Sequence, residues 1–427
     1  MKIHVVQRGD TLWKIAKQYG VSVERLISDN HILDPRKLVV GQALLVLIPQ
    51  TIYTVRRYDT LASIACRFHT TEIELMQNNP ELADMPRLHP GQVITIRFTQ
   101  PKRREIAVNS FAYTNIREDL LKRTLPFLTY LTIFGYQYNS QGKLIPVNDE
   151  RMISLAERYK TAPVMSISNI DQSGGFSGDH AALLLRDPQM QKRLLDQIVE
   201  TMQRKGYRGL DIDFEQIPVE DRDHFNAFLE MATERMNENG YFVNTDVVPK
   251  TSDNQSGALY EPYDYTAIGR IVDMVLLMTY EWGYAYGPPM AVAPLNQVRR
   301  VVEYAVSAIP LQKIMMGIPT YGYDWPLPFQ QGVTRATSLG CDYAVELASK
   351  QHAVIQYDET AQSPFFEYYD ARGQKHIVWF EDVRSIQAKC NLMDEFSLPG
   401  CGYWNLMRPF YQNWAFLGAN YSIKKIL

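Results

Sequence analysis

No run of about 18 consecutive apolar residues occurs in the chain, so no ordinary membrane-spanning helix is expected. Charge of one sign is lacking too. Lys and Arg number 44 against 47 Asp and Glu, a net charge of −3, whereas binding nucleic acid as the main partner requires a clear basic excess. Cysteine is scarce: Cys66, Cys341, Cys390 and Cys401 match no zinc or redox spacing. Scattered free thiols suit synthesis in a reducing compartment, although the Cys390–Cys401 offset is one that could be bridged. Met1-Lys2-Ile3-His4-Val5 leads straight into a patterned segment, without the charged and apolar regions of an ordinary secretory signal. What remains is a globular composition, 46 % hydrophobic and 21 % charged. A chain of 427 residues has room for two to four domains. Its 26 Tyr and 6 Trp suit packing on sugar faces and filling a large core equally well.

The first deciding feature is an internal repeat. Ile3-His4-Val5-Val6 followed by Gly9-Asp10-Thr11-Leu12 returns as Ile52-Tyr53-Thr54-Val55 followed by Tyr58-Asp59-Thr60-Leu61. Asn30 aligns with Asn79, and Leu38…Gly41-Gln42 with Leu88…Gly91-Gln92, a period of about 50 residues that signals tandem small modules. In each copy a short alternating strand meets an Asp-Thr pair able to cap the next helix. Leu12, Ile15, Ala16 and Tyr19 then recur at helical spacing. A second helix near Val23–Ser28 ends at Asn30, and a Gly-Gln turn leads to a closing strand, Ala43–Leu47 or Val93–Phe98. The order is β-α-α-β. This pattern resembles the LysM module, which binds N-acetylglucosamine-containing glycans such as peptidoglycan and chitin. The resemblance implies glycan contacts around Asp10, Thr11 and Asn30 in residues 1–49, and around Asp59, Thr60 and Asn79 in residues 50–98. Tyr58 replaces Gly9 in the second copy.

Residues 99–105 are polar and basic with a Pro, as a linker is. From residue 106 to 427 short apolar runs alternate with helical stretches. Candidate strands are Ile106–Tyr113, Thr129–Gln137, Pro163–Ser168, Gly209–Phe214, Phe242–Val248, Met274–Tyr280, Ile314–Pro319 and Gly402–Leu406. Helical patterns between them, clearest at Gln189–Lys205, Asp221–Asn239 and Leu295–Ala308, indicate a parallel sheet. The fold expected is α/β, a (β/α)8 TIM barrel. The long interval at about 322–382 carries three further strand patterns, Ala353–Tyr357, Phe365–Tyr369 and His376–Phe380. They predict a small α+β insertion after the seventh strand.

The sharpest motif is Gly209-Leu210-Asp211-Ile212-Asp213-Phe214-Glu215. Alternation along a strand puts the three acids on one face and Leu210, Ile212 and Phe214 on the other. In a barrel the apolar set faces the helices, so the acids point inward. Crowded carboxylates raise one another's pKa, which keeps a proton near neutral pH and makes a general acid available. Glu215 comes last, nearest the C-terminal mouth where barrel chemistry occurs. A divalent metal is the competing use for three carboxylates, but no His lies near in sequence. Neither a metal nor a cofactor is expected.

The motif resembles the Asp-x-Asp-x-Glu signature of glycoside hydrolase family 18, the chitinase-like retaining enzymes. Met278-Thr279-Tyr280, Gly317-Ile318-Pro319-Thr320-Tyr321-Gly322 and Trp404 extend the resemblance over the whole barrel. LysM copies ahead of such a barrel also resemble bacterial spore peptidoglycan hydrolases that act on cortex fragments in germination. The family implies substrate-assisted hydrolysis without an enzyme nucleophile, an exception to the two-carboxylate scheme. Glu215 would protonate the glycosidic oxygen and later deprotonate water. Asp213 would orient the sugar's acetamido group, Asp211 would tune Asp213, Tyr280 would bond the acetamide, and Trp404 would floor the −1 subsite.

Departures from the family pattern are Arg208 and Glu281 where Asp is common, and Ser166-Ile167-Ser168-Asn169 in place of Ser-x-Gly-Gly. Asn169 or Asp171 is therefore a candidate sugar contact, as is Glu281. Tyr113, Trp282, Tyr321 and Trp325 are candidates for sugar stacking or core packing. His224, in an Asp-rich helical stretch, reads as a surface residue. The function expected is retaining hydrolysis of β-1,4 bonds at N-acetylglucosamine in peptidoglycan, in or around the spore, by a monomer whose partner is the glycan strand. A chitinase or other endo-β-N-acetylglucosaminidase is the alternative. A non-catalytic lectin is a second, disfavoured because Glu215 is kept.

Overall fold

The computed structural model describes residues 1–85 and 87–427. Eight parallel strands form its centre: β1 (Glu105–Tyr113), β2 (Tyr130–Tyr138), β3 (Ala162–Ser168), β4 (Gly209–Asp213), β5 (Phe242–Val247), β6 (Met274–Leu277), β7 (Ile314–Pro319) and β8 (Gly400–Trp404). Each pairs with its sequence neighbours, and β8 pairs with β1, so the sheet closes into a (β/α)8 barrel without free edges. Strands β4 and β6 stop short of their sequence-expected ends. Glu215 and Met278-Thr279-Tyr280 consequently lie just past the strands, on the loops of the C-terminal mouth.

The expected facing holds along β4. Leu210, Ile212 and Phe214 are fully buried, and Phe214 stacks on Phe228 of the helix Arg222–Asn237 with centroids 5.6 Å apart. Burying a large apolar side chain contributes roughly 1.5–3 kcal/mol, so a register slip that sent these residues inward would be strongly disfavoured. That constraint aims Asp211 and Asp213 into the barrel.

After β7 the chain forms a five-stranded antiparallel sheet from Tyr321–Leu327, Thr337–Gly340, Gln356–Asp358, Ser363–Tyr369 and Lys375–Trp379, with the helix Cys341–Lys350. Its first strand continues directly from β7, and its ends carry Tyr321, Tyr323 and Ser338 to the barrel mouth. Trp325 is fully buried there and donates to the Gly287 carbonyl at 2.9 Å, so it holds the insertion and offers no stacking face.

Each N-terminal repeat is a two-stranded antiparallel sheet, Lys2–Val5 with Ala43–Val46 and Pro49–Thr54 with Val93–Phe98. Both lean on the helix Tyr411–Asn420, which packs against Val23–Asn30 of the first copy and Glu72–Asn78 of the second. Gln412 donates to Asn30 Oδ1 at 2.7 Å, Gln77 donates to the Pro126 carbonyl at 2.8 Å, and His31 sits 2.7 Å from Asp342. The first copy keeps a small apolar cluster of its own, around Leu12, Ile15, Leu26 and Leu44. That of the second, around Ile64, Leu75 and Ile94, runs on into the barrel's core. The four cysteines are free. Among the described residues no helix is long and apolar enough to cross a membrane.

Candidate active site

A cavity of about 570 Å³ opens at the C-terminal mouth of the barrel, lined by Asp213, Glu215, Asp246, Tyr280, Glu281 and Trp404 among others. Asp211 and Asp213 come up from β4 and Asp246 from β5, all three buried. Asn244 on β5 donates to Asp211 Oδ1. Asp211 Oδ2 and Asp213 Oδ1 are buried with no hydrogen-bond partner. Among the described residues, no Lys, Arg or His forms an ion pair with Asp211, Asp213, Glu215 or Asp246. Buried acids are ordinarily paired or hydrogen-bonded, so this cluster stores a need for protons or for a donor from outside.

The proton affinities follow. Burial, then the charge of Glu281, pushes the Glu215 carboxyl from its ordinary 4.5 up to about 7. Burial lifts Asp211 to about 7, against the hydrogen bond of Asn244, which pulls it down. Asp213 and Asp246 are raised well above the usual carboxylate range, by burial first and then by neighbouring acids. Near neutrality the cluster therefore retains protons, and Glu215, at the mouth, is placed to give one up.

Tyr280 lines the same cavity, almost fully buried. Glu281 follows it with a left-handed φ of 67° and takes hydrogen bonds from the Tyr321 hydroxyl and, at 3.1 Å, from the Tyr323 hydroxyl. Burial outweighs these bonds and raises the Glu281 pKa. Trp404, at the end of β8, is wedged between Phe111 and Phe134 at centroid distances of 5.3 and 5.4 Å, with Tyr113 at 6.2 Å across it. This packing fixes the indole as one wall of the cavity, with Trp282 also lining it.

Several expected contacts lie elsewhere. Asn169 is fully buried and turned away from the cavity, its amide bonded to the backbone of Glu215 and Ser177. Asp171 closes its own turn by accepting from Ser173 at 2.8 Å. His224, read from the sequence as a surface residue, is exposed, 3.0 Å from Asp221. Asn30 and Asn79 are both buried and pinned between helix and strand. Asn30 bonds Leu26 and Leu45, and Asn79 bonds Leu75 and Thr95, each through carbonyl and N–H partners. Thr11 and Thr60 cap the helices Leu12–Tyr19 and Leu61–Phe68. Asp10 and Asp59 accept from the backbone N–H groups of Gln7 and Arg56, each at 2.8 Å. Sequence reasoning missed Asp246. The signal was present in Asn244 and Asp246, two residues apart and so on one face of a strand flanked by Val243 and Val247.

Residues 108–408 match the model of the glycosyl hydrolases family 18, and residues 4–46 and 53–97 match the LysM domain. The chain belongs to glycosyl hydrolase family 18. It is a glycosidase carrying two LysM domains. It is 40 % identical to the cortical fragment-lytic enzyme of Bacillus cereus, over all of this chain and 99 % of that protein. It is 41 % identical to the cortical fragment-lytic enzyme of Bacillus subtilis (strain 168), with the same coverage. Its fold is similar to the crystal structure of the Bacillus cereus spore cortex-lytic enzyme SleL, with a TM-score of 0.84 at 39 % identity over 99 % of this chain and 98 % of that one.

Proposed function

We propose that this glycosidase hydrolyses β-1,4 bonds at N-acetylglucosamine in spore cortex fragments, with retention at the anomeric carbon. The observation that carries the reading is a cavity at the barrel mouth holding a protonatable Glu215 above a buried carboxyl with an unpartnered oxygen, Asp213. Full-length similarity to cortical fragment-lytic enzymes supports the cortex as the substrate.

In this mechanism Glu215 gives its proton to the glycosidic oxygen as that bond breaks. The acetamido oxygen of the sugar attacks the anomeric carbon, giving an oxazolinium ion. Asp213, whose Oδ1 has no partner in the protein, accepts the acetamide N–H and opposes the positive charge. Asp211 and Asp246 are its buried neighbours and act on it through charge. The Tyr280 hydroxyl bonds the acetamido group, and Glu281 with Tyr321 borders the same subsite. Trp404 packs under the sugar ring, with Tyr113 beside it. Water then attacks the anomeric carbon, displacing the acetamido oxygen, and gives a proton back to Glu215, restoring the starting state.

The LysM copies hold the glycan strand on the loops that Asp10-Thr11 and Asp59-Thr60 shape. One chain closes the barrel and completes the cavity, and the protein acts as a monomer at the cortex. The test compares wild type with Glu215→Gln on purified cortex fragments and on chitin oligomers, reading new reducing ends. Release of reducing-end N-acetylglucosamine from cortex, abolished by the substitution, supports the reading. Turnover of chitin alone overturns the substrate, and binding without turnover overturns the activity.

A further inference from the structure

The backbone of Glu215 is held by a side chain. The β3–β4 ladder runs from Val164 opposite Gly209 to Ser168 opposite Asp213, and ends there. Glu215 lies two residues farther on, outside the sheet, and Gln216 after it turns the chain with a φ of 55°. In place of the missing ladder stands Asn169, the first residue after β3 and fully buried. Its Oδ1 accepts from the Glu215 N–H at 2.9 Å, and its Nδ2 donates to the Glu215 carbonyl at 2.8 Å and to the Ser177 carbonyl at 2.9 Å. Both donors of the amide and one acceptor site are used. On the other side the Tyr263 hydroxyl donates to the Phe214 carbonyl at 2.6 Å.

A side-chain amide can act here as a peptide group would, extending the ladder by one rung to the residue that carries the acid. The partner orientation is fixed by chemistry, because a peptide N–H requires an acceptor and a peptide carbonyl requires a donor. The Ser177 bond ties in the start of the helix Gly178–Leu185, whose first residue lies so close to Gln216 that a Cβ there would come within 2.6 Å of the Gln216 carbonyl. Loop, helix start and the acid-bearing turn are thus one clamped unit.

We infer that Asn169 is a positioning residue for Glu215: its amide, paired to the Glu215 N–H and carbonyl, sets where the acid stands in the cavity. It touches no substrate. The inference rests on Glu215 being the acid of the proposed reaction. Displacing a reacting group by about 1 Å can cost on the order of 100-fold in rate, which sets the scale of the expected loss.

The deciding substitution is Asn169→Asp, close to isosteric. An ionised carboxylate there still accepts from the Glu215 N–H but faces the Glu215 and Ser177 carbonyls without a proton to give. Once protonated, it can donate again. With whichever oligosaccharide the wild type turns over, kcat of Asn169→Asp is expected to fall about 10- to 100-fold at pH 8. KM stays within about 3-fold, since the cavity walls are untouched. The ratio of variant to wild-type kcat then climbs toward one as the pH is lowered and the introduced carboxyl regains its proton. A ratio of one at every pH overturns the inference. So does a loss that is independent of pH, which marks a structural role only. Asn169→Ala, followed by thermal melting, is expected to lose kcat at all pH values while remaining folded below its melting point. Unchanged kcat in that variant also overturns the inference. Glu215→Gln run in parallel separates the two claims. If it still turns over substrate, the proposed reaction fails; if it is inactive while both Asn169 variants behave as wild type, only the positioning role fails.

Discussion

The repeats and the barrel both bury polar residues, to opposite ends. In the repeats, Asn30 and Asn79 have their amide nitrogens and oxygens bonded to backbone, and Thr11, Thr60, Asp10 and Asp59 close turns and caps. In the barrel, Asp211 and Asp213 keep buried oxygens with no partner, and the acids around them hold raised pKa values. A satisfied buried polar group contributes about 0.5–1.5 kcal/mol to stability, while an unsatisfied one opposes it by about 1–3 kcal/mol. The repeats use polarity to build a fold. The barrel mouth tolerates it for chemistry.

The comparison can be tested by substitution. Glu215→Gln is expected to lower turnover about 10²- to 10⁴-fold, the scale of losing a general acid, while the melting temperature at pH 7 stays level or rises. A large fall in both would erase the distinction. Asn79→Ala should do the reverse. It orphans the Thr95 N–H and the Leu75 and Thr95 carbonyls, an expected loss of about 3 kcal/mol in denaturant unfolding of the second repeat. Hydrolysis of soluble chitin oligomers below the melting transition should be preserved.

Two pH effects follow with a defined sign. A general acid works protonated, so activity should fall as pH rises through about 7, the Glu215 value. Glu281→Gln removes the neighbouring charge that raises it, and the alkaline limb of the kcat profile should move to lower pH. An unmoved limb would detach Glu281 from the cluster. Because the folded pKa of Glu215 is raised, its contribution to stability is fully present below 4.5 and is lost as pH rises to about 7. Asp211 acts in the same sense. Melting temperature should therefore decline over that window, less steeply in Glu215→Gln. The smallest effect is Thr11→Ala, which removes one helix cap and should cost about 1 kcal/mol in the first repeat, without changing turnover.

Much of the fold was legible because it rests on periodicity. Alternation along β4 assigned Leu210, Ile212 and Phe214 to the helices and the acids to the interior, and the helices around it followed from spacing near 3.6. The insertion was legible as alternating aromatics, although its first strand, Tyr321–Leu327, was hidden because it continues β7 without a break. What escaped depended on contacts far apart in sequence. Gln412 and Asn30 meet 382 positions apart, and no local pattern states that the repeats dock on the last helix. Asn169 was legible as a polar residue at a strand end, the usual place for a ligand contact. Only the geometry shows its amide directed at the Glu215 backbone. Asp246 was overlooked because one acid in a strand is weaker evidence than three in register.

The most direct test of the account is a titration of the Glu215 carboxyl by carbon-detected NMR, with Glu215→Gln to assign the signal. The expected midpoint is about 7. A midpoint near 4.5, the ordinary value for this side chain, would mean that the cluster does not hold its proton at neutral pH, and would contradict it.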